Sequence, residues 1–522
     1  MGINGCERPV ALSGGLLFAL LFSTAVTVVS SANGSGVTIY EITSDYSSGL
    51  NCGVKQPLGA YMNGLSLHQI SKSNYPDNTQ GFGNPDYIFW VNEIEETFGV
   101  SERPTGEFDG NVKYPGGAVA YDQAGRIWYT FGGRAGDLPG DIFKSDAPYD
   151  VNSFTKKLDD LDTYNTSTSL NLHAADPDLF VFWRHGHSGG VDTTVRLRRY
   201  DMESGFDVPE LEIDIGRGVW DDDLGQTGIE QLYTRYDPRY GYLFVTWQWF
   251  YVDDNSFGSY PFLYSDDLGN TWKRADGSVQ TDLPLDYSEI TPLQVPHNHL
   301  ALGENTSWWA RDIGISPNGV FWLAIPSGDV TIEAESWIDF WFFNGTEWES
   351  RRLTEGMHWR SKAHACAATK GRLCFVYSDS SAYNVLKAIV SEDDGATWSR
   401  PVVVDTVADS EVISWVSYAQ PAHDYADNTA RFFYAYYRSS DGNNGRRFRN
   451  NIRWTKLDLD QIDFCPADLN GDSVVNVDDM FAILMFWGEC DECPADLNDD
   501  GVVEIQDLFI VLDMWGSCYP IA

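Results

Sequence analysis

The chain has 522 residues, 14% of them aromatic, and carries 76 Asp and Glu against 35 Lys and Arg, a net charge of −41. So acidic a chain is repelled by polyphosphate backbones, which excludes a nucleic-acid partner and makes any local cluster of arginines a candidate anion site. Its length admits about two to four average domains, or one large repeat domain with an appendage.

The first feature in chain order is Arg8 followed by the apolar run 16–29 (LLFALLFSTAVTVV) and the small residues Ser30, Ser31 and Ala32. This reads as a secretory signal over residues 1–32, since the run is short for a bilayer span. No later stretch is apolar enough to cross a membrane, so a secreted or cell-surface protein with bacterial-type export is expected. Export permits disulfides. Cys366 and Cys374, symmetric about Lys370, are expected to face each other across a hairpin and to bond, while Cys52 has no evident partner.

From residue 37 to about 460 the chain alternates short strands rich in Trp, Tyr and Phe with Gly, Asp and Asn turns, and shows almost no helical period. First-strand and second-strand pairs are expected within 63–100, 116–131, 171–183, 230–249, 309–325, 364–377 and 418–437. An all-β domain of repeated units follows, with six units as the alternative because the first is poorly defined.

Within it FLYSDDLGNTW (262–272) recurs as AIVSEDDGATW (388–398). Each is an apolar strand end followed by Ser-x-Asp-x-Gly-x-Thr-Trp. Asp267 and Asp393 are placed to accept turn amides, Gly269 and Gly395 supply a position open to positive φ, and the Trp folds back over the turn. A degenerate third copy, Asn344 to Trp348, keeps the Gly and Trp. These motifs resemble the Asp-box, or BNR-repeat, families of sialidase-like β-propellers. The resemblance implies a seven-bladed, alternatively six-bladed, propeller over residues 37–460, with the boxes as structural staples on its rim.

Propeller ligands bind at the central funnel, so chemistry is sought at the ends of the inner strands. The richest stretch is FWRHGH (182–187), with His173 before it and Arg196, Arg198, Arg199 and Tyr200 after it. His185 and His187 share a strand face, a spacing zinc can use, but no fixed carboxylate partner is evident. Alternation sends Tyr233 and Arg235 to one side of their strand. Further sets are Trp309 with Arg311, Arg360 with His364, and Tyr418. Aromatics beside Arg and His suit a sugar ring bearing a carboxylate or sulfate. A strand opening on His, paired with a strand ending in a Gly-His loop, is similar to BNR-repeat polysaccharide lyases acting on uronic-acid glycans such as ulvan. That resemblance implies β-elimination, a reaction that needs a base near neutral pH, an acid and charge neutralisation; on that logic His187 or His173 is the expected base, Tyr233 the acid, and Arg184 and Arg235 the neutralisers of the uronate. His185, Arg198, Trp309, Arg311, Arg360, His364 and Tyr418 are the expected substrate-binding residues. Two alternatives stay open. One is a sialidase-like exo-glycoside hydrolase built on Arg235, Arg311 and Arg360, although the Arg-Ile-Pro segment typical of sialidases is missing. The other is a non-catalytic glycan-binding propeller.

The composition breaks at Cys465, where CPADLNGDSVVNVDDMFAILMFWGEC is followed 28 residues on by CPADLNDDGVVEIQDLFIVLDMWGSC. Oxygen-bearing side chains recur at loop positions one, three, five, nine and twelve, the spacing that wraps a hard cation. They are Asp468, Asn470, Asp472, Asn476 and Asp479 in the first copy, and Asp496, Asn498, Asp500 and Asp507 in the second, with Glu504 at its ninth position. No Lys or Arg follows Asp468, so a cation is needed to hold the loops together. The tail, 465–522, closely resembles a type I dockerin pair. The resemblance implies structural calcium and a cohesin-like protein partner; Ser473 stands where the family usually has Gly.

Overall fold

The computed structural model describes residues 36–46, 59–71, 86–102, 114–116, 118–134, 140–161, 170–185, 193–204, 206, 208–218, 220–221, 225–251, 260–286, 312–328, 336–354, 364–378, 382–423, 425–438, 450–490, 493–498 and 501–518. Among these, strands dominate, and the two helices, α1 (Val477–Met485) and α2 (Ile505–Asp513), both lie in the tail.

Most of the strands form antiparallel meanders of four. One runs Asn171–Ala175, Asp178–His185, Thr194–Asp201, Leu211–Arg217, and another His364–Ala368, Leu373–Tyr377, Val385–Ser391, Val402–Thr406. The second strand DLFVFWRH is buried along seven consecutive residues. A strand with a packed sheet on each face reads as a continuous apolar run, whereas the third strand, TVRLRRYD, alternates.

The first strands touch one another in succession. Gly59–Met62 meets Val119–Tyr121, which meets Asn171–Ala175, then Gly225–Asp237, Asp312–Ile315, His364–Ala368 and Glu411–Pro421, and the last pairs in parallel with Gly59–Met62. Sheets radiating from a closed ring of first strands make a propeller arrangement. Val37–Tyr46 completes the ring by pairing with Asn450–Asp458, so the N-terminal segment supplies the outermost strand of the sheet built by the C-terminal segments.

Two expectations are corrected. In the region 63–100, the first strand is Gly59–Met62, and LSLHQI and YIFWV are its second and third neighbours. Asn63 and Gly64, at φ 47° and 85°, make the two-residue turn that joins Met62 to Leu65. Cys366 and Cys374 are free and buried, because Cys366 lies opposite Phe375 and Cys374 opposite Ala367. This one-residue offset sends the two thiols to opposite faces: Cys366 joins one inter-sheet core and Cys374 the next. Cys52 and the apolar run 16–29 lie outside the described residues.

The repeated turns have near-identical geometry. Ser265 Oγ accepts the Gly269 amide at 2.8 Å, and Asp267 takes the Thr271 amide and hydroxyl at 2.8 and 2.7 Å. Ser391, Asp393, Gly395 and Thr397 repeat these bonds at 2.8 Å each. Both turns follow a third strand, and the second leads on to the fourth, Val402–Thr406. Trp272 and Trp398 are fully buried and pack edge-on against Phe182 and Phe340 of the preceding sheet. The turn therefore wedges neighbouring sheets together as well as closing a hairpin.

The tail is held at both ends. Leu459 and Phe464 are buried in the core of the last sheets, and Cys465 is disulfide-bonded to Cys518. The Arg400 amide donates to Cys518 O at 3.1 Å and its Nη2 to Trp515 O at 2.9 Å, beyond the C-terminus of α2.

Candidate functional site

The axis of the ring is filled on one side by an ionic cluster. Arg235, 1% exposed, extends from Gly225–Asp237 and donates through Nη2 to Asp312 Oδ1 at 2.8 Å and to Cys366 O at 3.1 Å. Asp312 Oδ2 accepts the Cys366 amide at 2.9 Å, so three first strands meet at this one ion pair. The guanidinium lies over the rings of Trp322 and Tyr418, 5.0 and 5.5 Å from their centroids. Gly314 leaves it room, since a Cβ there would stand 2.9 Å from Arg235 Nη1. Burial works against the charge of Arg235, but Asp312, with smaller contributions from Tyr425, Tyr418 and Cys366, outweighs it and holds the guanidinium protonated. One turn of chain further on, Arg239 binds Asp237 at 2.6 Å and Ile315 O at 2.9 Å and covers the Tyr425 ring at 4.0 Å.

The other side of the axis is lined by small residues. Gly59, Ala60, Ala118, Ala120 and Ala174 face a cavity of ≈ 40 Å³ that also touches Asn171, His173 and Gln420. That volume holds a few waters and no sugar ring. His173 Nε2 shares a hydrogen bond of 2.7 Å with Thr234 Oγ1, and burial, reinforced by the charge of Arg235, pulls its pKa down to about 3. An imidazole with that pKa is neutral at physiological pH and a weak base.

The structure separates the residues grouped by sequence. Tyr233 and Arg235 do share a strand side, but Tyr233 is buried in an apolar cluster with Phe244, Tyr260 and Ile313. Arg184 is fully buried and donates to Ile229 O at 2.7 Å. Arg198 lies on a third strand, away from the ring, where Glu212 of the fourth strand takes its Nε at 3.1 Å and its guanidinium lies 5.2 Å from the Trp183 centroid. Arg196 is held likewise by Asp214 at 2.7 Å. Arg196 and Arg198 thus form a cross-strand charge ladder with the acids opposite, while Arg199 lies opposite Leu211 and meets Glu210 at 3.5 Å. Tyr418 donates its hydroxyl to Ala368 O at 2.9 Å, and burial raises its pKa well above the ordinary value. His364 is buried and tilted against Phe375. His185 is half-buried at the end of its strand. His187, Trp309, Arg311 and Arg360 lie outside the described residues. Sequence reasoning missed Asp312, Asp237, Arg239 and Tyr425. Their signal was the parity of Arg235 with an acid opening the next first strand.

In the tail, Asp468 takes the amides of Gly471 and Ser473 at 2.8 and 2.7 Å, and the buried Asp479 takes those of Leu469 and Asn476 at 2.8 Å. Asp507 does the same for Leu497 and Glu504 at 2.7 Å. Ser473 and Gly501, sixth in their loops, have φ 68° and 85°. Wrapped loops that present oxygen donors fit a hard divalent cation. Asp500 lies outside the described residues. The cluster of Cys465, Asp468 and Cys518 is a disulfide beside a carboxylate and offers no thiolate.

No protein-family model matches the chain, and no curated protein matches its sequence. Among solved structures it is similar to the polysaccharide lyase Uly1, at 12% identity and TM-score 0.52 over 77% of this chain and 90% of that one. The likeness is one of fold. The propeller domain of the Trilobed protease from Pyrococcus furiosus has TM-score 0.38 and 11% identity over 78% of this chain and 97% of that one. Trypanosoma rangeli sialidase has TM-score 0.38 and 9% identity over 82% of this chain and 57% of that one. Among the described residues no helix is long and apolar enough to cross a membrane.

Proposed function

We propose that this chain is an exported, seven-bladed, Asp-box propeller that cleaves an acidic polysaccharide by β-elimination, and that its tail is a calcium-loaded dockerin presenting it to a cohesin-like partner. One observation carries the reading of the site. Antiparallel order puts the end of Asp178–His185 and the starts of Asp312–Ile315 and His364–Ala368 at the same end of the ring. From these ends leave the segments that contain His187, Trp309, Arg311 and Arg360. In the proposed scheme Arg311 and Arg360, carried by these segments, take the sugar carboxylate. The fold likeness to a polysaccharide lyase supports the same reading. Seven blades follow if the eight-stranded sheet is divided at its one parallel pairing, Gly59–Met62 against Glu411–Pro421.

In this scheme the base removes the proton on the carbon beside the uronate carboxylate, and the bond from the neighbouring carbon to the glycosidic oxygen breaks. An acid protonates that oxygen and a carbon–carbon double bond remains. His187 is the preferred base, because the low pKa of His173 makes it a poor one. Arg311 and Arg360 take the neutralising role first given to Arg235, which Asp312 already occupies. When bound, calcium supplies the charge that holds the acidic loops of the tail closed.

The test is to incubate the full-length protein with ulvan, pectic and sulfated glycans and follow the ultraviolet absorbance of an unsaturated uronate. Absorbance that is lost in His187→Ala and retained in His173→Gln supports the scheme. Reducing sugar without absorbance means a hydrolase, and retention on a glycan column with neither means a binding protein.

A further inference from the structure

The opposite end of the axis, where first strands turn into second strands, carries a cavity of ≈ 500 Å³ lined by Gln123, Asp176, Tyr236, Pro238, Leu268 and His423 among others. This volume is that of a small-molecule site and more than ten times that of the cavity at His173. The two share Ala174, Tyr236 and Ala422 as walls, so the larger one opens the axis from the turn side.

From its chemistry we infer a second binding site here, for a neutral hexose residue, distinct from the loop-side site proposed above. Asp176 Oδ2 accepts the Gln123 amide at 2.9 Å, which fixes the carboxylate and leaves its other oxygen to accept a sugar hydroxyl. Asp122 stands near it, oriented by the Arg126 amide at 2.8 Å and Trp128 Nε1 at 3.0 Å. Asp176 is the carboxylate on the cavity wall, Asp122 being buried with Lys144 3.8 Å away, and its charge disfavours a uronate or sulfate. His423 Nε2 is buried and has no hydrogen-bond partner among the described residues, a state that a ligand hydroxyl relieves. Pro238 and Leu268 give the apolar surface on which the C–H face of a pyranose rests.

Leu268 also explains a difference between the two repeated turns. At this place the second turn has Asp394, which accepts from Asn318 at 3.2 Å, while the first has a leucine held at φ 59°, an unfavourable conformation for a bulky apolar side chain. Arg199 Nη1 binds the Leu268 carbonyl at 2.9 Å and fixes it there.

The experiment uses the full-length protein with methyl α-D-galactopyranoside, methyl α-D-glucopyranoside and methyl α-D-mannopyranoside, read by saturation-transfer NMR and calorimetry, with galacturonic acid as the charged comparison. At least one neutral glycoside is expected to bind with Kd in the millimolar range, and galacturonic acid at least ten times more weakly. Asp176→Asn and His423→Gln should each weaken the neutral ligand at least tenfold, and Leu268→Asp, which copies the other turn, should do so as well. If Asp176→Asn fails to fold by circular dichroism, His423→Gln carries the comparison. No binding by any neutral glycoside, equal binding of galacturonic acid, or wild-type affinity in the folded variants overturns the site. Polysaccharide cleavage is measured separately, and Asp176→Asn should leave it unchanged, so failure of one reading does not mimic failure of the other.

Discussion

Asp312→Asn keeps the shape of the side chain but leaves the Arg235 guanidinium buried without its counter-charge. Removing one partner of a buried pair typically costs about 3–5 kcal/mol, far more than the pair itself contributes over an apolar replacement. Urea unfolding should show that loss, and Arg235→Met together with Asp312→Leu should recover much of it; an unchanged midpoint for Asp312→Asn would mean the pair holds nothing. The buried histidines predict a pH dependence of opposite origin. Burial sets the pKa of His68 at about 3, and burial with Arg235 does the same for His173. Unfolded, each titrates near 6.5, so below that value the unfolded chain binds protons the folded chain refuses. Stability is therefore full above about pH 6.5 and declines toward pH 3, by on the order of 2 kcal/mol per histidine at pH 5. His173→Gln should flatten the slope of unfolding free energy between pH 7 and pH 5 relative to wild type, and an identical slope would refute the assignment. Strand alternation made the shared side of Tyr233 and Arg235 legible in sequence. It did not reveal that Asp312, opening a first strand 77 residues later, engages the Arg235 guanidinium.

The repeated turns were the most legible element, because the Ser, Asp, Gly and Thr bonds that shape them span four residues or fewer. They yield a paired test. Gly395 has φ 96°, and a Cβ there would lie 2.1 Å from Phe340 Cε1; Gly345 has the same φ with open space around it. Gly345→Ala should thus cost only the backbone strain, about 1 kcal/mol, whereas Gly395→Ala adds overpacking of about 1–3 kcal/mol. Equal losses in thermal unfolding would show that the turn does not wedge the sheets. The same backbone reasoning applies to the tail, where Ser473 occupies φ 68°. Ser473→Gly should stabilise the first loop by about 1 kcal/mol, seen as slower proteolysis after Cys465 at limiting calcium. The cysteine pair was misread for a complementary reason. Symmetry about Lys370 predicts a facing pair, but the register Cys366 to Phe375 is one residue off, and hairpin register depends on a turn geometry that composition does not fix.

At the scale of the whole molecule, local pattern carried most of the repeated units and none of the closure. Val37–Tyr46 finds its partner across the length of the domain: Arg453 bonds Glu41, 412 residues away, at 3.0 Å, and Asp405 at 2.7 Å. No window of sequence contains both strands, so local pattern does not reveal the closure and places the first strand pair one strand out of register with the ring. Closure has an energetic signature. Ile39, Tyr40 and Ile42 are each at most 7% exposed, and Tyr40 lies on Trp454 at 5.5 Å. Burial of three such side chains contributes on the order of 5 kcal/mol. A chain beginning after Tyr46 also bares Asn450–Asp458 as an edge strand, whose unpaired amides and carbonyls invite pairing with another chain. Truncation should lower the unfolding temperature, advance exchange of the Thr429–Arg438 and Asn450–Asp458 amides, and produce dimers or larger species by size-exclusion chromatography. A truncated chain that stays monomeric with the unfolding temperature of the intact protein would mean that the parallel contact of Gly59–Met62 with Glu411–Pro421 is sufficient to close the ring.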